Sequence, residues 1–419
     1  MKCLKERLID KGWEYKYRNY SRYFVGNINI HMRQKPKISV VVISWRVHPL
    51  TIENLRALES QRNTSDFEVI FVDNGAPEHS FDPLMPYIDT YIRLNTNTGA
   101  CIARNIGALF AQAPILLFLE DDAIPDQHLI ESHIITHQRY SLISVRGVCL
   151  PISNNEWNER QDWYYLGDDP HARYCDIEGN ASYSANEFFE VGGWNDQLLY
   201  GGEGKELAIR ILNKYPTLSK QIYSPISIIY HDYAISEQQL ELKRQKQRSS
   251  FTKLKEKYSD WEKFDSKWGQ YIGEYHTLNE TLSWQKDKKS QERYLEICQF
   301  IKEQHKTAIH KYMDGKVFLN DIDFFQSLST LKKIAIFGAG LKGRTTFTIL
   351  KRYGLEIDCF VDNNSSIHYQ YLFDKPIVPV TQLTDDYFIL IASSWSYQIV
   401  NQLVELKWAK NKNFKTIIG

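Results

Sequence analysis

The chain has 419 residues, enough for two or three domains, and its 43% hydrophobic and 24% charged residues are typical of a globular protein. Its 51 basic and 51 acidic residues balance, which gives no support to a nucleic-acid-binding role. No stretch has the apolar core of a secretory signal or the length of a membrane span, and the six scattered cysteines argue against a CxxC zinc site and a disulfide framework. We therefore predict a cytoplasmic protein.

Residues 38–120 alternate between strand and helix patterns. Three apolar runs, ISVVVIS (38–44), FEVIFVDNG (67–75) and ILLFLE (115–120), are typical of strands covered on both faces. Between them, HPLTIENLRALESQ (48–61) and GACIARNIGALFAQA (99–113) have the apolar spacing of helices. This order predicts an α/β fold with a parallel sheet, whose ligands bind beyond the carboxyl ends of the strands.

Three adjacent carboxylates, Glu120, Asp121 and Asp122, follow the third of these strands. Like charges side by side raise one another's pKa unless a cation lies between them, and Mg²⁺ and Mn²⁺ are cations that prefer such oxygen ligands. Asp73 ends the second strand, so one crevice can hold both this residue and the acidic trio. The alternative is a solvated turn after a strand.

Residues 234–331 are rich in Lys, Glu and Gln, with apolar residues at spacings of three and four. This composition predicts amphipathic helices, which we interpret as a helical connector. Its basic run KRQKQR (243–248) is either a solvated helix face or, at most, a peripheral contact at the inner face of the membrane.

A second α/β pattern covers residues 332–419, where KKIAIFGAGLKGRTTFTILKRYG predicts a strand, a glycine turn and a helix. Gly338, Gly340 and Gly343 match GxGxxG, and Asp362 lies about twenty residues further on, where a ribose-binding acid falls. The segment is too short for both halves of a full dinucleotide fold. We therefore predict a small Rossmann-like module that binds a nucleotide or sugar nucleotide, or that only mediates assembly.

Residues 37–233 resemble the GT-A fold glycosyltransferases, most closely family 2. The similar segments are SVVVISW, FEVIFVDNG, NTGACIARNIGAL, the DxD-like FLEDDAIPD and GGWNDQLLYGGEGKELAIRI, which occur in the order typical of that family. The resemblance implies four parts: an N-terminal extension (1–36), a GT-A glycosyltransferase domain (37–233), the connector (234–331) and the Rossmann-like module (332–419).

The resemblance assigns a nucleotide pocket to the strand ends. Ile43 and Ser44 would line it, with Asp73 near the base or ribose and Arg104 near the base or diphosphate. The alternatives are an Asx turn for Asp73 and a solvated helix charge for Arg104.

The resemblance also assigns a metal site. In the DxD-like run, Glu120 replaces the usual first aspartate, Asp122 matches the second, and Asp121 lies between them beside the nucleotide. His231, in IIYHDYA, falls where many such enzymes have a third metal ligand, and imidazole favours Mn²⁺ over Mg²⁺. The alternative for His231 is a structural histidine.

The catalytic base is where the sequence departs from the family. An inverting transferase needs a carboxylate that accepts the proton of the acceptor hydroxyl. The family supplies it from a Glu-Asp pair, whereas this chain has Glu203 followed by Gly204. We favour Glu203 as the base; Asp196 in GGWND and a retaining mechanism without such a base remain open.

The predicted function is metal-dependent transfer of a sugar from a nucleotide-sugar donor, UDP-linked, to a glycan, lipid-linked or protein acceptor. The setting implied by the family is bacterial surface polysaccharide or glycoconjugate biosynthesis. Two alternatives are an NAD(P)-dependent oxidoreductase centred on the glycine turn and a non-catalytic GT-A scaffold. The aromatic-rich residues 156–174 are a candidate acceptor loop, and the sequence leaves homo-oligomerisation open.

Overall fold

The computed structural model of the protein describes residues 2–31, 33–153, 157, 164–168, 170–259, 264, 268, 288–319, 321–329 and 332–418. The chain forms two compact units. The first comprises Met1–Ile152, Asp168–Gln270 and Tyr275–Phe300, and the second comprises Ser153–Gly167, Tyr271–Glu274 and Ile301–Gly419. Across the described ranges, no helix combines the length and apolarity needed to cross a membrane.

The described part of the first unit contains one mixed sheet flanked by helices. Its strands are β1 (Phe24–Asn29), β2 (Ile38–Ser44), β3 (Phe67–Asn74), β4 (Thr90–Leu94), β5 (Ile115–Glu120), β6 (Ile124–Pro125), β7 (Ser144–Leu150), β8 (His171–Ala172), β9 (Ala181–Ser184) and β10 (Gln221–Tyr230). Its helices are α1 (Leu4–Asp10), α2 (Tyr17–Tyr20), α3 (Thr51–Glu59), α4 (Ala100–Leu109), α5 (Leu129–Tyr140), α6 (Ala185–Glu190), α7 (Glu203–Lys214), α8 (Glu237–Lys257) and α9 (Lys288–Met313), the last divided between the units after Phe300.

The strand order is β1-β4-β3-β2-β5-β9-β7-β10-β6, with β8 beside β10. Strands β4, β3, β2 and β5 are parallel, so the predicted parallel sheet is confirmed in this half. Helix α4 packs directly on β2 and β3. A Cβ atom on its Gly107 would lie 2.6 Å from Val41 Cγ1 and 2.9 Å from Val72 Cγ2, so only glycine allows this approach.

The N-terminal residues, which the sequence suggests to be an extension, are part of the first unit. Strand β1 pairs antiparallel with β4 at the end of the sheet. Trp13 is buried against Phe188 and Phe189, and its indole N–H donates a 2.9 Å hydrogen bond to the carbonyl of Phe189. Residues before the family-like segment therefore contribute to the core of this unit.

Two buried histidines connect α5 to β9, the strand that lies beside β5 in the sheet. His133 contacts Ser182 Oγ through Nδ1 at 2.8 Å and Asn180 Oδ1 through Nε2 at 2.9 Å. His137 Nε2 lies 2.9 Å from the same Ser182 hydroxyl. Burial lowers the pKa of His133 to about 4 and that of His137 to about 3, the latter with help from the neighbouring His133. Both imidazoles are neutral at physiological pH.

These two histidines should make the free energy of unfolding depend steeply on pH in the acid range. Between pH 6.5 and about 4 both histidines are protonated in the unfolded chain but neutral in the folded protein. The free energy of unfolding therefore falls as the pH falls through this window. The expected slope is about 1.4 kcal/mol per pH unit for each histidine. Urea unfolding of the wild type and of His137→Gln at several pH values measures it. An unchanged slope in the variant would contradict the assignment.

The second unit is a smaller α/β assembly. Its described strands are β11 (Lys316–Phe318), β12 (Lys333–Phe337), β13 (Cys359–Val361), β14 (Tyr371–Leu372), β15 (Lys375–Val378), β16 (Tyr387–Ile391) and β17 (Phe414–Ile418). Its described helices are α10 (Ile322–Ser329), α11 (Leu341–Arg352) and α12 (Ser396–Glu405). The strand order is β11-β17-β16-β12-β13-β15-β14, and all neighbours are parallel except β14 and β15.

The predicted strand, glycine turn and helix are β12, residues 338–340 and α11. Gly338 has a φ of +116°, and a Cβ on Gly343 would lie 1.7 Å from the Gly338 carbonyl oxygen, so both positions require glycine. Asp362 accepts the backbone N–H groups of Ala339 and Asn364, each at 2.9 Å. Its carboxylate therefore fixes the glycine turn. That this unit is a Rossmann-like nucleotide-binding module stays a prediction.

Candidate functional site

The carboxyl ends of β2, β3 and β5 meet at one edge of the sheet of the first unit. The strand register sets Ile43 beside Glu120 and Ser44 beside Asp73. The Ser44 hydroxyl donates a short hydrogen bond to Asp121 Oδ2. Burial raises the pKa of Asp121 to about 7, against the bond from Ser44 and with the help of the adjacent carboxylates. The sequence-predicted residues of these three strand ends are thus neighbours.

Asp73 is buried with both carboxylate oxygens occupied. Oδ1 accepts the backbone N–H of Ala76 at 2.8 Å, and Oδ2 accepts the Tyr91 hydroxyl at 2.6 Å. The first bond reaches the backbone three residues further on and so closes the turn after β3, although an Asx turn, the alternative for this residue, reaches only two residues on. A nucleotide that reached Asp73 would meet a carboxylate that already accepts the Tyr91 hydroxyl.

Asp122 and His231 form an ion pair at this edge. His231 Nε2 lies 3.2 Å from Asp122 Oδ1, and the two side chains are 14% and 33% exposed. Burial opposes the charge on His231, but the bond to Asp122 and the nearby Cys149 raise its pKa to about 10. Burial likewise disfavours the Asp122 carboxylate, but the bond from His231 and surrounding positive charges lower its pKa to about 2. The pair is an anion and a cation in contact.

Helix α8 from the predicted connector reaches this pair. The Lys243 ammonium donates a short hydrogen bond to the carbonyl oxygen of Tyr233. Burial lowers the pKa of Lys243, while the charges of Asp122 and Glu120 raise it. The same helix covers the glycines at 201 and 202, where added Cβ atoms would lie 2.5 Å from Gln247 Cγ and 2.7 Å from Leu254 Cδ1. Sequence reasoning missed this role because α8 reads as an ordinary charged helix.

Arg104 and Glu120 form a second ion pair, in which Arg104 is buried and Glu120 is partly exposed. Arg104 is only 3% exposed, and its Nη2 lies 2.6 Å from Glu120 Oε1. Neither Nε nor Nη1 of Arg104 has a hydrogen-bond partner among the described residues. Its guanidinium lies 5.3 Å from the ring centroid of Trp194, which is fully buried and is therefore a core residue. Arg104 is thus not the solvated helix charge that was its alternative.

Two further carboxylates surround Arg104. Glu203 is the first residue of α7 and is 3% exposed. Glu178, which precedes β9 and lies in no recognised motif, accepts the backbone N–H of Gly204 at 2.8 Å. Burial and the charge of Glu203 raise the pKa of Glu178 to about 8, against the Gly204 bond and the charge of Arg104. No spacing signal in the sequence points to Glu178; only the fold brings it to α7.

Asp196 lies on the N-terminal side of this region and is held by three partners. Its Oδ1 accepts the Tyr20 hydroxyl at 2.9 Å and the Asn105 amide at 2.8 Å. Its Oδ2 lies 3.1 Å from the buried Lys16 ammonium. These contacts fasten residues 16–20 to the first unit and leave the carboxylate little freedom for chemistry.

Gly204 occupies a position without room for a side chain. A Cβ atom there would lie 2.7 Å from the carbonyl carbon of Asp176 and 2.8 Å from the backbone nitrogen of Ile177. Both contacts are to backbone, which cannot move aside as a flexible side chain does. The aspartate expected from the family therefore cannot be accommodated.

Gly204→Ala should destabilise the protein although alanine favours helix formation. Alanine gains about 1 kcal/mol of helix propensity over glycine, whereas overpacking against rigid backbone costs about 1–3 kcal/mol. Gly204→Asp should cost more. The matched control is Gly26→Ala, whose added Cβ meets nothing within 4 Å. Urea unfolding of the three variants tests this, and equal stability of Gly204→Ala and Gly26→Ala would contradict it.

Comparison with protein families identifies residues 39–193 as a match to glycosyl transferase family 2. The prediction of a glycosyltransferase domain in this part of the chain is thereby confirmed. Residues 330–414 match a different family, described as C2185-like, N-terminal.

Relatives match over short segments. The chain is 27% identical over 135 residues to YfnE of Bacillus subtilis (strain 168), which is named an uncharacterized glycosyltransferase, covering 31% of this chain and 32% of YfnE. It is 30% identical over 98 residues to the Escherichia coli (strain K12) glycosyl transferase WcaA, which is named for colanic acid biosynthesis, covering 22% of this chain and 34% of WcaA. The chain therefore spans about a third of the length of these curated relatives.

Similar solved structures include residues 1–349 of TarS from S. aureus, with a TM-score of 0.39 and 12% identity over 46% of this chain and 60% of that chain. Another is the mannosyltransferase PcManGT from Pyrobaculum calidifontis in complex with GDP-Man and Mn²⁺, with a TM-score of 0.38 and 15% identity over 56% of this chain and 70% of that chain. At such scores the similarity does not by itself establish a fold.

Proposed function

We propose that the first unit transfers a sugar from a nucleotide-sugar donor, UDP-linked, to a glycan, lipid-linked or protein acceptor. The observation that carries the proposal is the contact between Asp122 and His231 at the carboxyl ends of β5 and β10, next to Ser44 and Asp121. Ligands of α/β sheets bind at such strand ends. The match of residues 39–193 to a glycosyltransferase family supports the same activity.

A divalent metal fits the donor set only in part. Among the described residues, no group of three His, Cys, Asp or Glu side chains converges on one point. Asp122 and His231 do converge, and hard cations are often held by one or two protein carboxylates together with substrate phosphates and water. Glu120, the third predicted ligand, is bound by Arg104 instead. We assign the metal to Asp122 and His231, where it would replace the proton that holds these two side chains together, with Mn²⁺ preferred because neutral imidazole would be a ligand.

A bound divalent ion would act as a Lewis acid toward the diphosphate leaving group. Residues of the chain would supply the other contacts to the donor. Ile43, Ser44 and Asp121 would line the nucleotide side of the pocket at the strand ends, with Asp73 behind them. Lys243 adds a positive charge beside Asp122, where negative charge develops on the leaving diphosphate.

The proton of the acceptor hydroxyl needs a carboxylate near the start of α7, where the sequence suggests Glu203 or Asp196. Glu203 begins α7 and belongs to the group of acids around Arg104. The three partners of Asp196 make that residue the weaker candidate. A carboxylate base near the start of α7 is consistent with inversion of the configuration at the anomeric carbon.

A donor screen tests the proposal. The full chain is incubated with UDP-glucose, UDP-galactose, UDP-N-acetylglucosamine and GDP-mannose, with Mn²⁺, with Mg²⁺ or with EDTA, and released nucleoside diphosphate is measured. We expect Mn²⁺-dependent turnover of at least one UDP-sugar. Absence of turnover with every donor, together with absence of Mn²⁺-dependent UDP binding by calorimetry, would favour a non-catalytic scaffold.

For the second unit we propose nucleotide binding at the glycine turn of residues 338–343. The support is the strand-turn-helix geometry, in which Gly338 and Gly343 bring the backbone close to the start of α11. Asp362 accepts two backbone N–H groups, one on each oxygen, and is partly exposed, so its carboxylate keeps lone pairs to which a ribose hydroxyl would donate. Fluorescence titration with NADH separates this proposal from an oxidoreductase, for which NADH binding is required.

A further inference from the structure

At Gly204, where the family has an aspartate, this fold has a carboxylate from another part of the chain, that of Glu178 before β9. Gly204 has no side chain and no room for one, because its Cβ would meet the backbone of residues 176 and 177. The carboxylate of Glu178, two residues further on in that same segment, accepts the Gly204 backbone N–H at 2.8 Å. A carboxylate therefore stands beside Gly204 although Gly204 cannot carry one.

This carboxylate lies near enough to Arg104 for the charge of each to shift the pKa of the other, and Arg104 has unused hydrogen-bond donors. Arg104 is buried, and it uses Nη2 on Glu120 while Nε and Nη1 have no partner among the described residues. A buried guanidinium with unmade donors is costly unless a further group completes them. Burial lowers the pKa of Arg104, whereas the charges of Glu120, Glu203 and Glu178 raise it above its usual value.

We propose that Glu178 accepts the proton of the acceptor hydroxyl and so replaces the side chain that Gly204 lacks, an inference that rests on the proposed function of the first unit. In the reaction the hydroxyl oxygen bonds to the anomeric carbon of the donor. The bond between that carbon and the diphosphate oxygen breaks, and the nucleoside diphosphate leaves with the electron pair. The hydroxyl proton passes to the Glu178 carboxylate, which returns it to solvent.

Exposure favours Glu178 over Glu203 for this role. A base must touch the acceptor hydroxyl, at about 2.6–3.2 Å between heavy atoms. Glu203 is almost completely buried, whereas Glu178 is partly exposed. Glu203 also lies at the N-terminus of α7, where the helix dipole stabilises its negative charge. Its part is to orient Arg104 and Glu178, which makes Glu203 a positioning residue.

Glu178→Gln is the informative variant because glutamine keeps an oxygen that accepts the Gly204 N–H and loses only the ability to take a proton. The matched control is Glu68→Gln, a second buried carboxylate whose pKa is raised by burial and which bonds Ser39 and Gln112 at the opposite end of the strands. The assay is Mn²⁺-dependent UDP release from the best UDP-sugar of the donor screen, with water as acceptor. Calorimetry with UDP and Mn²⁺ measures the Kd in parallel.

We expect kcat of Glu178→Gln to fall at least about 100-fold, the usual range for loss of a general base, with the Kd for UDP within twofold of wild type. Glu68→Gln should keep wild-type kcat. A kcat within threefold of wild type in Glu178→Gln would overturn the inference, and so would a loss of kcat that is matched by a loss of UDP binding. Wild-type protein without turnover of any donor would overturn the proposed function instead.

Glu178→Ala with added sodium formate gives a second, independent measurement should Glu178→Gln fold poorly. Formate supplies a small carboxylate that can occupy the space of the missing side chain. We expect formate to raise the kcat of Glu178→Ala at least tenfold and to leave the kcat of Glu203→Ala unchanged. Rescue of Glu203→Ala and not of Glu178→Ala would assign the proton to Glu203 and overturn the inference.

Discussion

Asp122→Asn is expected to lower Mn²⁺-dependent UDP release by at least about 100-fold, because loss of one well-placed electrostatic group at a reacting diphosphate usually costs this much. Asparagine retains an oxygen that can contact His231 Nε2, so the change removes the charge and leaves the pair largely in place. The measurement is the initial rate against Mn²⁺ concentration, together with Mn²⁺ binding by calorimetry.

Asp82→Asn is the matched control for this variant. Asp82 also pairs with a histidine, His79, at 2.9 Å, but both side chains lie on the surface, 58% and 81% exposed. It should retain the rate and the metal dependence of wild type. An Asp122→Asn protein that kept the rate of wild type within threefold, with the same Mn²⁺ requirement, would remove Asp122 from the metal site.

Arg104→Met is expected to lower the free energy of unfolding by about 3–5 kcal/mol, because it leaves the carboxylates of Glu120, Glu178 and the buried Glu203 without the guanidinium whose charge offsets theirs. The deficit should grow as the pH rises. Without Arg104 the pKa of Glu178, which burial and Glu203 already raise to about 8, should rise further, so the variant is stabilised by the proton that Glu178 binds at lower pH and loses that stability as the proton dissociates. Urea unfolding at pH 6 and pH 9 measures both effects.

Arg62→Met provides the comparison. Arg62 also bonds a buried acid, Asp89, at 3.0 Å, but Asp89 keeps Arg33 at 2.7 Å and the backbone N–H of Val69 at 2.7 Å. Because Asp89 keeps these two partners, Arg62→Met should lower the free energy of unfolding less than Arg104→Met does, and by nearly the same amount at each pH. Equal losses for the two arginine variants at both pH values would show that the acids around Arg104 do not depend on its charge.

Much of the sheet could be predicted because its strands are determined locally. The apolar runs at 38–44, 67–75 and 115–120 have no other way to bury so many β-branched and aromatic residues, and the structure has strands at Ile38–Ser44, Phe67–Asn74 and Ile115–Glu120. The helices between them are shorter than predicted, at Thr51–Glu59 and Ala100–Leu109. End residues fray or enter turns, which a periodic pattern does not register.

The contacts of the candidate site could not be predicted because they join distant parts of the chain. The sequence suggests that Arg104 and Glu120 serve the donor, but their 2.6 Å pair forms only when α4 packs beside β5. Glu178 has no motif, and it becomes notable only beside Gly204. Likewise, nothing in KRQKQR indicates that Lys243 bonds the carbonyl of Tyr233. The site residues stay proposals until the variants are measured.

The position of β1 has a practical consequence for any shortened form of the protein. Family similarity begins at residue 39, yet β1 is hydrogen-bonded along β4 and residues 16–20 fasten to Asp196. A truncation that started at the similarity boundary would uncover the unpaired amide and carbonyl groups of β4, and bare strand edges of this kind recruit other chains into aggregates. Solubility lost on such trimming would report an exposed edge and not a defect in donor binding.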